Sequence, residues 1–227
     1  MSEFDFLIYF SSFFVKLYNI LYMIYFLVTT SLFNNCPIRE SQYRNGIINL
    51  KHMIQKNQIN NYKIIIIENN GERDTILNNL DCEVFYTRNN LLPTSNKGYK
   101  ELQDVLECIK KYNILDNDFI VKMTGRYILD NKSSFMNIIK NLNNTKYECV
   151  IKYGSYLNPI YYKIDDCVTG LIGMLCFYVK QIDPPTHNEC VEWKWAKVTR
   201  LINNNKICSL RNLGINICPE SNRYFKV

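Results

Sequence analysis

The chain has 227 residues, of which 47% are hydrophobic and 14% aromatic, and it carries a formal net charge of +6. That length supports one substantial core, or two small ones, without disulfide or metal staples. The charge is mild, spread along the chain and free of any Lys/Arg run, so it fits an anionic small-molecule ligand at least as well as nucleic acid, and no nucleic-acid partner is expected.

Nine cysteines stand at positions 36, 82, 108, 149, 167, 176, 190, 208 and 218. Their number is odd and no C-x-x-C pair occurs, which signals neither a zinc site nor a disulfide framework. Several lie in apolar runs, where a free thiol behaves as a small hydrophobe; a reducing, cytoplasmic setting is expected. The over-use of Asn, Ile, Lys and Tyr is what an AT-rich genome writes, so the N-x-[ST] strings at Asn131 and Asn143 are assigned to chance.

Residues 6–33 are mostly apolar, interrupted by Lys16 and Asn19. A membrane helix needs about 20 such residues, yet residues 24–28 also read as a β-strand with Thr29, Thr30 and Ser31 as its polar exit. The expected division is an apolar extension over residues 1–22, either a membrane anchor or the product of an upstream start, followed by one domain over residues 23–227. Residues 36–56 read as a helix, with Tyr43, Ile47, Leu50 and Ile54 recurring as one apolar stripe and Pro37 suited to the first turn. Residues 63–67 form an apolar burst that runs into Glu68, Asn69, Asn70 and Gly71, a buried strand and its turn. A short helix over 72–80 and a third strand over 83–86, ending in Thr87 and Arg88, follow. Buried strands alternating with helices argue for parallel βαβ units.

The string Pro93-Thr94-Ser95-Asn96-Lys97-Gly98 opens a helix whose buried stripe is Leu102, Val105, Leu106 and Ile109. Lys97 and Gly98 at that start are either an anion seat, because free N–H groups and the helix dipole favour negative charge, or simply a loop and cap. The central stretch, residues 113–130, opens on Asp116, Asn117 and Asp118. It runs through a short strand at 119–121 and breaks at Lys122, Thr124, Gly125, Arg126 and Tyr127. Ligands of open α/β sheets bind beyond the carboxyl ends of strands. That place holds Arg126, suited to a bidentate grip on phosphate. Asp116 and Asp118 match a D-x-D string but stand at the amino end of the strand, where a polar turn is the better reading.

A short helix over 135–142 and a strand over 149–153 come next. The Tyr-rich segment containing Tyr156, Tyr161 and Tyr162 suits an acceptor surface or plain packing. Residues 170–178 read as a strand or buried turn. Thr186 and Glu189 fit a T-x-x-E capping box that starts a helix over 189–203, and residues 207–217 suggest a last strand with a kink at Gly214. A carboxylate at the start of the late helix can act as a base. Glu192 is the preferred candidate because Glu189 already serves the box, and His187 is nearby. Only two His exist, the other being His52, so no His-based metal site is expected, and no G-x-S-x-G, Walker A or G-x-G-x-x-G string is present.

Taken in order, FLVTTSLFN (26–34), IIIIENNG (64–71), NKGYKEL (96–102), IVKMTGRY (120–127) and VEWKWA (191–196) resemble the GT-A-type nucleotide-sugar glycosyltransferases. The likeness is greatest to small glycosyltransferase-like proteins of large DNA viruses and bacterial polysaccharide clusters. It implies a single α/β, Rossmann-like domain with a mostly parallel central sheet flanked by helices, which moves a sugar from a nucleotide-diphosphate sugar to a hydroxyl of a glycan or protein acceptor. It also implies roles. Thr29 and Thr30 would lie beside the nucleotide, Glu68 by the base or ribose, and Lys97 with Gly98 by the diphosphate, with Arg88 also among the donor-binding residues. Thr124, Gly125, Arg126 and Tyr127 would occupy the place of the family's metal-binding D-x-D. This departure leaves a divalent metal (Mn or Mg) dependent on Asp130, or replaced by the charge of Arg126 and Lys97. The rival expectations are a sugar nucleotidyltransferase, which would want a Gly-rich basic loop after the first strand, and a degenerate domain that binds a nucleotide or glycan without turnover.

Overall fold

The computed structural model describes residues 23–32, 36–155, 163–218 and 224–227. The apolar extension over 1–22 and the tyrosines 156, 161 and 162 lie outside those residues. Among the described residues, no helix is long and apolar enough to cross a membrane.

Seven strands build the central sheet: β1 (Ile24–Thr30), β2 (Tyr62–Glu68), β3 (Glu83–Tyr86), β4 (Phe119–Thr124), β6 (Cys149–Ile151), β7 (Leu171–Leu175) and β8 (Ile207–Ser209). Their order is β3-β2-β1-β4-β7-β6-β8. β1 runs parallel to β2 and β4, and β2 runs parallel to β3. β7 is antiparallel to both β4 and β6, and β6 is parallel to β8, so β7 alone is reversed. The sheet is therefore mostly parallel. The short strands β5 (Ile128–Leu129), β9 (Ile215–Ile217) and β10 (Phe225–Lys226) form a separate antiparallel ribbon.

Strand alternation splits the core in two. Phe26, Val28, Ile64, Ile66, Val121 and Met123 face one way, under α1 (Pro37–Lys56) and α3 (Ser134–Lys140). Leu27, Ile65, Ile67 and Ile120 face the other way, under α2 (Lys97–Lys111), α4 (Cys176–Val179) and α5 (Val191–Val198). The apolar stripe expected on α1 is the one it buries: Tyr43, Ile47, Leu50 and Ile54.

Three local expectations are corrected. Residues 72–80 form only a 3-10 turn (Ile76–Asn79), capped by Thr75 and Asn78, because Leu77 is the one side chain that turn buries. The late helix begins at Val191 rather than Glu189: the Thr186–Glu189 box closes a turn, with Glu189 Oε2 accepting from the Thr186 N–H at 2.8 Å, and the helix proper starts after Cys190. The central strand does not break at Lys122 but continues to Thr124, since a counter-charge on α2 lets a lysine lie in the sheet.

Candidate functional site

Register sets the level of the strand ends. Thr30 pairs with Glu68, and Thr29 pairs with Ile67 on one side and Thr124 on the other, so the carboxyl ends of β1, β2 and β4 finish together. That edge is where open α/β sheets bind ligands. Because β7 is reversed, its entry residues Thr169 and Gly170 join the same edge, with Gly170 O accepting from the Thr124 N–H at 3.0 Å.

Lys122 Nζ lies at the centre of this edge, 2.7 Å from Glu101 Oε1 on α2, and the lysine side chain is 2% exposed. The ammonium also donates to the Thr169 carbonyl at 2.9 Å. Thr29 Oγ1 donates to the same Glu101 oxygen at 2.6 Å. Burial pushes the Glu101 carboxyl up, but the charge and hydrogen bond of Lys122 and the bond from Thr29 outweigh it, and its pKa ends below the usual carboxylate range. On the far side, Thr169 Oγ1 donates to Glu192 Oε1 at 3.4 Å. Glu192 has its pKa raised, first by burial and then by the charges of Glu101 and Asp166, with Lys122 and its own backbone N–H acting the other way. Two carboxyls with opposed shifts thus flank one buried ammonium, an arrangement that separates an ionised anchor from a group able to take a proton.

The remaining predicted residues distribute as follows. Glu68 is fully buried, and its carboxylate accepts from Thr30 Oγ1 at 2.9 Å, from the Leu32 N–H and from Asn70 Nδ2 at 2.6 Å, with Arg73 ion-paired at 3.3 Å. It holds the loop after β1 against the loop after β2. Arg88 is exposed at the exit of β3, and Lys97 is exposed at the start of α2. Gly98 is packed: a Cβ there would meet Val191 Cγ1 at 2.6 Å, so the first turns of α2 and α5 converge beside the sheet edge. Asn96 ties the convergence, capping Tyr99 N–H and donating to the carbonyls of Thr186 and Glu189. Gly125 is buried, and a Cβ on Gly46 of α1 would meet its carbonyl oxygen at 2.1 Å, so the close approach of this helix fixes the loop after β4. Arg126 Nε donates to the Cys218 carbonyl and its guanidinium lies 5.3 Å from the Tyr127 ring centre. Glu189 is ion-paired to Lys194 at 2.7 Å, and the Lys194 bond followed by the Thr186 N–H lowers its pKa to about 2. Asp130 accepts from Asn216 Nδ2 at 2.7 Å and pairs with Lys226 at 2.8 Å, on the antiparallel ribbon. His187 Nδ1 stands 3.4 Å from Ser95 Oγ, in an exposed pair.

The donor set around Thr124 does not suit a divalent cation. Hard cations take several oxygens, largely carboxylate. Here the end of β4 and the loop after it offer Thr, Gly, Arg and Tyr, and the carboxylate that α2 brings to this edge, Glu101, is bound to an ammonium. Among the described residues no group of three His, Cys, Asp or Glu converges. Asp116 and Asp118 sit in the turn before β4: Asp118 Oδ2 accepts from the Leu115 N–H at 3.0 Å and Asp116 pairs with Lys180 at 2.6 Å.

Sequence reasoning missed Glu101 and Asp104, and placed Lys122 in the polar cluster without giving it a role. The signal for Lys122 was present: a charge inside an apolar strand requires a buried partner. Asp104, one turn along α2 from Glu101, is 1% exposed and accepts from Thr87 Oγ1 at 2.5 Å, Asn89 Nδ2 at 2.9 Å and Asn69 Nδ2 at 3.2 Å. Burial raises its pKa to about 6 against those bonds. It fastens the exits of β2 and β3 to α2.

No protein-family profile matches the chain, and no curated protein matches it. Solved structures do match. A putative glucose-1-phosphate thymidylyltransferase from Bacillus anthracis, in complex with a sucrose, is similar at a TM-score of 0.52 and 10% identity over 82% of this chain and 86% of that one. A mannosyltransferase from Pyrobaculum calidifontis, solved with GDP-Man and Mn2+, gives 0.49 and 10% over 90% of this chain; the chain spans 61% of that protein's length. A glycosyltransferase involved in glycosylating the major capsid of PBCV-1 gives 0.47 and 9%, covering 82% and 81% of the two chains. At such identities the likeness is one of fold, and it is the GT-A-like α/β fold with a mostly parallel seven-stranded sheet.

Proposed function

We propose that the protein is a glycosyltransferase that moves a sugar from a nucleotide-diphosphate sugar to a hydroxyl acceptor. The observation that carries the reading is Glu192: a partly buried carboxyl with a raised pKa, 3.4 Å from Thr169 at the carboxyl-end edge of the sheet and flanked by the Lys122–Glu101 pair. In this reading the acceptor oxygen bonds to the anomeric carbon while the bond from that carbon to the diphosphate oxygen breaks. The acceptor proton passes to Glu192, and the electron pair leaves with the nucleoside diphosphate. The loop Thr124, Gly125, Arg126 and Tyr127 with Thr29 forms the floor for the donor. Arg126 and Lys97 supply positive charge to the leaving diphosphate, an electrostatic role worth roughly 3 kcal/mol per donor. Glu68 and Thr30 shape the nucleotide side by holding the loops. No step is assigned to a metal.

The test is nucleoside diphosphate release from a panel of nucleotide sugars by the intact chain, with donor binding followed by thermal shift. Ligand at 100 times its dissociation constant stabilises by about 2.7 kcal/mol. Glu192→Gln is expected to lose about 10²- to 10⁴-fold in turnover with donor binding retained. Unchanged turnover removes Glu192 as base, and binding without any turnover in the parent chain selects a degenerate domain. Release of pyrophosphate from a nucleoside triphosphate and a sugar 1-phosphate selects the nucleotidyltransferase, which shares the fold. Against that rival, the end of β1 and the residues that follow it read Thr29, Thr30, Ser31 and Leu32, with no Gly or basic residue to cradle a triphosphate.

A further inference from the structure

On α5 the residues Val191, Trp195 and Val198 are buried, which leaves Trp193 and Lys197 on the outer face, followed by the exposed Arg200 on the 3-10 turn (Thr199–Leu201) that continues the helix. Trp193 is 45% exposed, although an indole of that size is normally covered. These three side chains, with Lys163 and Asp165 from the segment entering β7, line a shallow cavity of about 290 Å³.

Its charges are balanced toward the positive. Arg200 pairs with Asp165, and Lys197 lies 3.5 Å from Asp183, all four groups more than half exposed. Exposed pairs of this kind contribute at most about 1 kcal/mol and exchange readily for another anion. Lys163 forms no ion pair among the described residues, which leaves a net positive rim around an exposed aromatic face. The flat face of a pyranose carries C–H groups that pack on an indole, while carboxylate or sulfate substituents suit Lys and Arg.

The cavity adjoins the candidate centre along the chain at two points. Trp193 follows Glu192 on α5, and Asp165 precedes Asp166, whose charge acts on Glu192. We infer that this cavity is an acceptor subsite for an acidic glycan, one bearing carboxylate or sulfate groups, stacked on Trp193 and held by Lys163, Lys197 and Arg200. The inference rests on the transferase reading above. A single-stranded nucleic acid also combines stacking with basic residues, but among the described residues that line the cavity Trp193 is the one aromatic ring, where a strand would stack successive bases on several.

The experiment is titration of the intact protein with tetragalacturonate, a heparin-derived tetrasaccharide, cellotetraose and oligo(dT), read by tryptophan fluorescence and calorimetry. At least one acidic tetrasaccharide is expected to bind about tenfold or more tightly than cellotetraose and oligo(dT). Trp193→Ala and Lys163→Glu are each expected to weaken that binding by about tenfold. Both side chains are exposed, so neither change threatens the fold. Equal binding of cellotetraose, tighter binding of oligo(dT), no binding of either acidic glycan, or indifference to both substitutions overturns the inference. Nucleoside diphosphate binding, followed separately by thermal shift, keeps the two readings apart. If it is present while acidic glycans fail, only the subsite falls. If it is absent while they bind at Trp193, the transferase reading falls and the glycan site stands.

Discussion

Lys122 Nζ and Glu101 Oε1 stand 2.7 Å apart and join the middle of the central strand to the helix that opens beside the candidate site. The lysine is 2% exposed, so it cannot turn to water when its partner goes. Removing one member of a buried pair strands the other at a cost of about 3 kcal/mol. Glu101→Gln is accordingly expected to lower unfolding stability by about that amount in urea denaturation, and Glu101→Gln with Lys122→Met to recover most of it. A single variant within about 0.5 kcal/mol of the parent would show that the pair carries no such load. The sign in pH follows from the lowered pKa of Glu101. Its contribution is present above the unfolded carboxylate value and is lost as pH falls through the folded one.

Glu192 makes the opposite prediction for activity. Its pKa is raised by burial and then by the charges of Glu101 and Asp166, so the acid limb of kcat/KM should lie above the usual carboxylate value. Glu101→Gln removes one of those negative charges and leaves Lys122 unopposed, and both changes favour the ionised form. The acid limb is expected to move to lower pH in that variant. A pH–rate profile that stays in place would show that Glu192 is not the titrating group.

Asp104 supplies a stability signature that is independent of catalysis. A carboxyl whose folded pKa is raised to about 6 favours the folded state at acid pH, and that contribution is lost as pH rises from the unfolded value through about 6. At the usual conversion the span is about 3 kcal/mol. Unfolding measured between pH 4 and pH 7 should show a declining component in the parent chain that is absent from Asp104→Asn. An identical slope in both would assign the effect elsewhere.

How much of this was legible depends on what each element is asked to bury. The elements β1, β2, α1 and α2 were readable because their apolar periods match their burial, as in Tyr43, Ile47, Leu50 and Ile54, whereas β3, expected as a buried strand, is an edge strand with no fully buried residue. Residues 72–80 misled because one buried leucine, Leu77, sustains a turn but not a helix. The box at Thr186 and Glu189 misled because only half of it forms: Glu189 Oε2 accepts from the Thr186 N–H, while the Glu189 N–H donates to the Thr186 carbonyl and closes a free-standing turn. At the site, the strand-end threonines Thr29 and Thr124 could be placed from the sheet alone, because position at a carboxyl edge is a property of topology. Glu101 and Asp104 could not. Each stands on an amphipathic helix among polar neighbours, and only the three-dimensional approach of β4 and of the loop after β3 distinguishes them from solvated residues.

The convergence of two helix starts yields the last prediction. Gly98, near the start of α2, lies under Val191, the first residue of α5, and a Cβ on Gly98 would come within 2.6 Å of Val191 Cγ1 and 2.7 Å of Val191 Cβ. In an exposed helix, Gly→Ala is stabilising by about 1 kcal/mol. Here Val191 is 5% exposed and its branched side chain has one preferred rotamer, so it does not yield cheaply. Overpacking of this kind costs about 1–3 kcal/mol. Gly98→Ala is expected to destabilise by that amount and to displace the start of α5, which carries Glu192, so turnover should fall as well. Val191→Ala in the same chain removes the obstructing methyl groups and is expected to restore both stability and turnover in part. If Gly98→Ala is neutral or stabilising in urea denaturation, the two helices are not in contact at this point, and Gly98 is present for the access of a ligand to the backbone instead.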